Sequence, residues 1–255
     1  MRIDLNCDLG EFPLDDIRCV DTKIMPYISS ANLACGGHAG DEVSMNNAIL
    51  QAQNNGVFIG AHPSYPDREG FGRRSMNLPL DELKGSIQGQ VYQLKKLTER
   101  AGAELVHVKP HGALYRDASL NEEVAGVLIE AVREIDDQLI LVGQCSSKLV
   151  RLCRTRGVPA RCEGFADRAY ESSGLLRARN LPGAVLGDHL EMGIRTVEMI
   201  RAQRVRTVSG KFIPIEAESV CIHGDHPGAI EFAKTLFEHL RNKGIEVIKT
   251  KKIKR

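Results

Sequence analysis

Apolar residues along this chain come in short runs, each closed by a polar or glycine-rich cluster. The runs are Ile3–Asn6, Tyr27–Leu33, Val57–Gly60, Leu105–Val108, Leu139–Val142, Val158–Cys162 and Ser219–Ile222. Their length and aliphatic content predict seven strands. Between them the apolar spacing turns helical, over Val43–Asn54, Leu80–Ala101, Leu120–Ile135, Ser146–Arg156, His189–Ala202 and Ala229–Lys243. In the second of these, Leu83, Ile87, Val91, Leu94 and Leu97 recur at steps of four, four, three and three, one stripe of an amphipathic helix. Asn55-Gly56, Gly102, Gly157 and Gly244 supply stop signals, since a helix commonly ends on a residue with positive φ.

Alternating strands and helices imply parallel pairing with right-handed crossovers. Two architectures satisfy that pattern. A doubly wound sheet concentrates its ligand site at one switch point, whereas a closed barrel makes the ends of many strands converge. Polar clusters follow the first, second, third, fourth, sixth and seventh runs, so the expected fold is an irregular, seven-stranded parallel β/α barrel. No linker or internal repeat divides residues 1–255, and one domain is expected.

Composition narrows the function. Lys and Arg number 34 against 33 Asp and Glu, for a net charge of +1, so no global field favours nucleic acid or a membrane surface. The cationic run Lys249–Arg255 is expected to be a solvated end. No apolar stretch approaches the 18 or so residues of a membrane span, and no signal peptide is read at Met1. The seven cysteines include no CxxC pair. Reduced thiols and a cytoplasmic location are therefore expected.

The candidate chemistry lies in the clusters. The first run ends in Asn6-Cys7-Asp8-Leu9-Gly10-Glu11; Asp8 and Glu11 suit a base, an acid or a metal ligand, although such residues also make turns. After the second run, His38 and Asp41 are placed to orient one another, while Cys35 reads as a small buried thiol. The third run leads to His62 and Asp67, then to Gly70-Phe71-Gly72-Arg73-Arg74. Arg73 and Arg74 suit a carboxylate or phosphate. At least one is expected to enter the cavity and the other to form an ion pair with a loop carboxylate. Lys109 and His111 follow the fourth run; a lysine there is costly unless paired or used. His107, inside that run, reads as structural. The sixth run brings Glu163, Asp167, Arg168 and Tyr170, and the seventh brings His223 and Asp225. His189 and His239 fall in helices and are given no role. The mouth histidines with Asp8, Asp41 and Asp225 could bind a divalent metal such as zinc or manganese, although no ligand spacing on one element specifies it. HExxH, GxxxxGK[ST] and GxSxG motifs are missing.

Taken in order, these segments resemble the LamB/YcsF family. The likeness runs through Leu5–Glu11, Ser29–Gly36, His38–Asp41, Gly60–Pro63, Gly70–Arg74, Val108–Tyr115, Phe165–Tyr170 and Cys221–Asp225. It implies a barrel similar to the glycoside hydrolase/deacetylase type. It also implies the A component of a three-part enzyme that opens 5-oxo-L-proline to L-glutamate. ATP is the co-substrate, cleaved to ADP and phosphate, and two companion subunits, B and C, are the partners. Asp8, His38, Asp41, His62, Lys109, His111, Asp167 and His223 become candidate catalytic residues. Asn6, Arg73, Arg74, Glu163, Arg168, Tyr170 and Asp225 become candidate substrate contacts. Two departures are visible: the segment Phe12–Asp16 is short, and Gly37 and Gly164 stand where bulkier residues are expected. A metal-dependent deacetylase or amidohydrolase acting alone is the alternative.

Overall fold

Buried on both faces, a parallel strand can be polar at alternate positions only if those positions meet partners inside. The strand β1 (Arg2–Leu9) obeys this rule. Its odd residues Ile3, Leu5, Cys7 and Leu9 join the aliphatic core. Its even residues Asp4, Asn6 and Asp8 point inward and reach Arg161, Glu163 and Lys109, which lie on or just after strands other than its paired neighbours. In a computed structural model that describes residues 1–13, 15, 16, 19–224 and 228–247, β1 is followed by β2 (Ser30–Ala34), β3 (Phe58–His62), β4 (Leu105–Val108), β5 (Ile140–Gln144) and β6 (Ala160–Phe165). The ring skips to β9 (Ser219–His223), which pairs with both β6 and β1. All seven barrel pairings are parallel, so the expected barrel closes with the expected strand number. Between β6 and β9 lies an antiparallel ribbon of β7 (Arg204–Arg206) and β8 (Phe212–Pro214). A short β10 (Glu246–Val247) adds to β1 outside the ring.

Helices form the outer layer: α1 (Asp21–Ile24), α2 (Glu42–Asn54), α3 (Leu80–Arg100), α4 (Gly112–Leu120), α5 (Glu122–Ile135), α6 (Lys148–Thr155), α7 (His189–Ala202) and α8 (Ala229–Asn242). The predicted stripe of α3 is buried at each of its five positions. Gly56, Gly102, Gly157 and Gly244 all carry positive φ at helix ends. The predicted helix at 120–135 begins at Glu122, and α4 precedes it as an element the hydrophobic pattern did not announce.

The barrel axis is polar rather than filled with aliphatic layers, the usual solution in such barrels. At its base, Asp4 accepts hydrogen bonds from Ser29, Ser30 and Ser219 at 2.6–2.7 Å and faces Arg161 at 3.3 Å. One layer up, Asn32 accepts from His107 at 2.7 Å and donates to Asn6 and Asp8 at 2.8 Å. Gly60 makes room for that imidazole, for a Cβ there would lie 2.0 Å from His107 Nε2.

One expectation needs correction. Cys145, just after β5, and Cys162, on β6, are joined as a disulfide, against the reading of seven reduced thiols; five remain free. Gly37 and Gly164 stand in filled space. A Cβ on Gly37 would meet Gln90 and Ser64 at 2.4 Å, and one on Gly164 would meet Met199 at 2.4 Å, so the missing bulk is supplied by neighbours. The cationic run from Lys249 lies outside the described residues.

Candidate active site

The C-terminal ends of β1, β2, β3, β4, β6 and β9 bring seven predicted residues to one mouth. Adjacent strands set Asp8 beside His223 and Asn32. Asp8 meets Lys109 at 2.9 Å and His62 at 3.4 Å. His62 Nε2 lies 3.0 Å from His111 Nδ1, and His38 stacks on His111 with ring centres 3.6 Å apart. His223 donates from Nδ1 to Asp167 at 2.7 Å. Asp8, His38, His62, Lys109, His111, Asp167 and His223 thus form one connected group.

Burial sets the electrostatics. Lys109 has almost no exposed surface, and its ammonium is shared by Asp8 at 2.9 Å and Glu163 at 3.0 Å, with Asn6 and the Cys221 thiol alongside. Burial alone would strip the proton, but the charges of Asp8, Cys221 and Glu163 push the ammonium well above its ordinary pKa. Lys109 is therefore a fixed cation. Asp8 is the converse: burial would raise it, yet the charges of His62 and Lys109 hold it well below the usual carboxylate range. Asp167 is also held low against its burial by the charge and hydrogen bond of His223. Burial lowers His38 and His107 to about 3, and it raises the Cys35 thiol to about 12, in keeping with an inert core cysteine.

Glu11, which is not among the candidate catalytic residues, is also a member of this site. Its carboxylate accepts from His38 Nε2 at 3.1 Å and lies 3.3 Å from His111 Nδ1 and 4.0 Å from His62 Nε2. Glu11, His38, His62 and His111 present ligand atoms that all lie within 4.8 Å of one another. The signal in the sequence was a histidine after each of three successive strands, with Glu11 closing the motif of the first. A second group, Asp8, Cys221 and His223, is equally close. Lys109 already contacts two of its members, so a metal ion there would meet a buried like charge.

Phe71 covers the histidines. Its ring centre lies 5.3 Å from that of His38 and 5.5 Å from that of His111. The turn that brings it in needs Gly72 at φ +62, where a Cβ would strike His38, His111 and Ser64 at 2.9–3.1 Å.

Other predicted residues sit elsewhere. Asp41 is an exposed helix cap: it accepts from the Ser44 amide at 2.8 Å and its own amide donates to Ser44 Oγ. It does not orient His38, whose partner is Glu11. Neither arginine enters the cluster. Arg74 grips Asp67 and lies 3.7 Å from Glu69, the anticipated loop ion pair. Arg73 stays at the surface with its guanidinium 5.1 Å from the Phe71 ring centre. Arg168 donates to the carbonyls of Ala184 and Arg177, and the Tyr170 hydroxyl accepts from the Phe165 amide. Both pin the segment after β6. Asn6 and Glu163 are sealed beneath it, where Glu163 accepts from Asn6 and Tyr115 at 2.8 and 2.9 Å. Asp225, with His226 and Pro227, lies outside the described residues.

Comparison with known proteins adds a family. The LamB/YcsF family model matches residues 3–255. The chain is 41% identical over 248 residues to the A subunit of 5-oxoprolinase from Pyrococcus furiosus, covering 97% of both chains. It is 44% identical over 247 residues to the A subunit of 5-oxoprolinase from Acinetobacter baylyi, again covering 97% of each. Among solved structures it matches the lactam utilization protein from Thermus thermophilus with a TM-score of 0.91 and 37% identity, over 98% of this chain and 100% of that one.

Proposed function

The chain belongs to the LamB/YcsF family, and from that premise we propose that it is the A subunit of an ATP-dependent 5-oxoprolinase. It opens 5-oxo-L-proline to L-glutamate in the cytoplasm, with residues 1–255 as one domain working beside two companion subunits. Full-length likeness to proteins of that name supports the reading, and the mouth has the groups the reaction needs.

A five-membered lactam is an unactivated amide. Transfer of a phosphoryl group from ATP to its oxygen gives an O-phosphoryl imidate and ADP; water adds to that carbon, the C–N bond breaks as the nitrogen takes up protons and leaves as the amine, and a second water cleaves the resulting acyl phosphate to L-glutamate and phosphate. Three tasks then remain: to take a proton from water, to stabilise negative charge at the former carbonyl, and to exclude bulk solvent. The observation that carries the assignment is the Asp167–His223 pair beside the Asp8–Lys109 ion pair. With its Nδ1 proton held by Asp167, His223 keeps Nε2 as an acceptor, the arrangement that makes an imidazole a general base. Lys109, permanently charged and fixed by two carboxylates, steadies Asp8 and supplies a positive field beneath the reacting atoms. The ATP-binding surface is assigned to the assembled complex, because this chain has no GxxxxGK[ST] phosphate loop.

Coupled 5-oxoproline turnover with and without the companion subunits tests the assignment. The complete complex should consume 5-oxoproline and ATP together, while the isolated chain shows little of either activity. His223→Ala should lower turnover by roughly 10²–10⁴-fold, the usual contribution of a positioned acid or base. Robust turnover by the isolated chain would point instead to an amidohydrolase acting alone, and an unaltered His223→Ala complex would remove the base assignment.

A further inference from the structure

Two of the mouth histidines have their tautomers dictated by main-chain carbonyls. His62 Nδ1 lies 2.7 Å from the carbonyl of Lys109, so that nitrogen carries the proton and Nε2 is left with a lone pair. His111 Nε2 lies 3.0 Å from the carbonyl of Phe71, so its Nδ1 is the bare nitrogen. These two unprotonated atoms face each other at 3.0 Å. The Glu11 carboxylate sits 3.3 Å from one and 4.0 Å from the other. Asp8 adds a further oxygen 3.4 Å from His62 Nε2. With both rings neutral, electron pairs from four residues converge on a space closed by Phe71. A positive charge among them relieves the repulsion, either an added proton that makes one ring an imidazolium or a metal ion.

We infer that Glu11, His38, His62 and His111 form a binding site for a divalent transition-metal ion of the zinc type. The donor set is three imidazole nitrogens and one carboxylate oxygen, which suits zinc and its neighbours rather than magnesium or calcium. The spacing fits as well. Ligands at about 2.0–2.1 Å in a tetrahedron stand about 3.3 Å apart; the ligand atoms of these four residues all lie within 4.8 Å of one another, and three of the contacts between them are 3.0, 3.1 and 3.3 Å. The carbonyls of Lys109 and Phe71 are the outer partners that fix ring orientation in such sites. His38 Nε2 lies against Glu11 with its ring stacked on His111, so it joins the ion by turning off that stack and passing its proton to Nδ1, which has no partner among the described residues. Each ligand comes from the end of a different strand. The site is therefore a property of the closed barrel, and it stands on ligand geometry independently of the reaction proposed above.

The test is metal binding by the full-length chain. Protein stripped with a chelator is titrated with Zn²⁺ and with Co²⁺, following heat and the visible absorption of bound cobalt, and the bound ion is examined by X-ray absorption. One ion per chain is expected, with imidazole nitrogens dominating its first shell. His62→Ala and His111→Ala should weaken binding by more than the roughly 10–100-fold that follows loss of an outer partner. Glu11→Gln should weaken it less, and His189→Ala, on α7, should leave it unchanged. If the folded wild-type chain binds neither ion, the charge among the histidines is a proton and the inference fails. Binding that survives both histidine variants, or a shell of oxygen ligands alone, places the ion elsewhere and also overturns it. The absorption spectrum needs no variant, so a misfolded substitution does not leave the question open.

Discussion

Replacing Lys109 with alanine should destabilise the protein severely, and the size of the loss can be worked out. One ammonium serves two carboxylates, Asp8 at 2.9 Å and Glu163 at 3.0 Å, and Glu163 has no exposed side-chain surface. Removing one partner of a buried ion pair costs about 3–5 kcal/mol, because the remaining charge is stranded. Glu163 would keep only the neutral donors Asn6 and Tyr115. Its escape is to take up a proton. For a glutamate of ordinary acidity at pH 7 that costs about 3.7 kcal/mol, which sets a ceiling on the electrostatic loss from this residue. The lost lysine methylenes add a smaller packing term. The expected deficit is therefore about 3–5 kcal/mol, or about 6–20 °C in Tm for a chain of this size.

Urea unfolding of the isolated chain, followed by circular dichroism, measures this directly. The deficit of Lys109→Ala should shrink as the pH is lowered from 7 towards 5, since protonation becomes cheaper. Lys109→Met combined with Glu163→Gln should recover much of it, since both charges then leave together. A deficit below about 1 kcal/mol at pH 7, or one independent of pH, would show that the Lys109 pairing is not what holds the upper barrel together.

Three further outcomes are expected. Asp21 is buried, and burial raises its pKa to about 6; its favourable protonated form is present below the unfolded value and is lost as pH rises through about 6. Asp21→Asn should therefore match wild type near pH 4 and exceed its stability at pH 8 by about 1–3 kcal/mol, and a pH-independent difference in thermal unfolding would contradict this. Gly60→Ala drives a methyl into the His107 ring and should cost about 1–3 kcal/mol, part of which His107→Ala restores when the two are combined in unfolding experiments. Asp41→Ala should lower stability by about 0.5–2 kcal/mol through loss of a helix cap while the reconstituted complex keeps its turnover; a large kinetic defect would return Asp41 to the site.

Much of the barrel was legible because its signals are local and repeated. Each strand is an aliphatic run, and each major helix carries a stripe and a stop, as Leu83–Leu97 with Gly102 illustrates. The ribbon of β7 and β8 was hidden because its strands have only three residues each, too few for alternation to register. The helix α4 was hidden because Pro110 and the glycine at 112 read as loop, although Ala113, Leu114 and Ala118 are buried. At the site, residue types at strand ends were enough to gather Asp8, His62, Lys109 and His223. What they could not specify was direction. Glu11 and Asp41 are both acidic residues after a strand, yet one turns inward to the histidines and the other outward to cap α2. Arg73 and Arg74 fail for a similar reason, since a glycine-flanked turn aims Phe71 inward and leaves the guanidinium groups outside.

The polar axis also governs the order in which the molecule can be made. Asp4 takes hydrogen bonds from Ser29 and Ser30 early in the chain, but its remaining partners are Arg161 and Ser219. Asn6 likewise waits for Glu163 and Ser219. A nascent chain emerging from a ribosome can pair β1 with β2 and β3 at once, yet it cannot dry the space between them. To do so would bury charges whose partners have not been synthesised. Water must remain along the axis until residues 219–223 arrive and β9 docks between β6 and β1. Expulsion of that water, the pairing of the interior charges and the assembly of the mouth are then a single late event. A chain truncated before β9 should accordingly accumulate as an open, hydrated sheet, a target for chaperones and proteases.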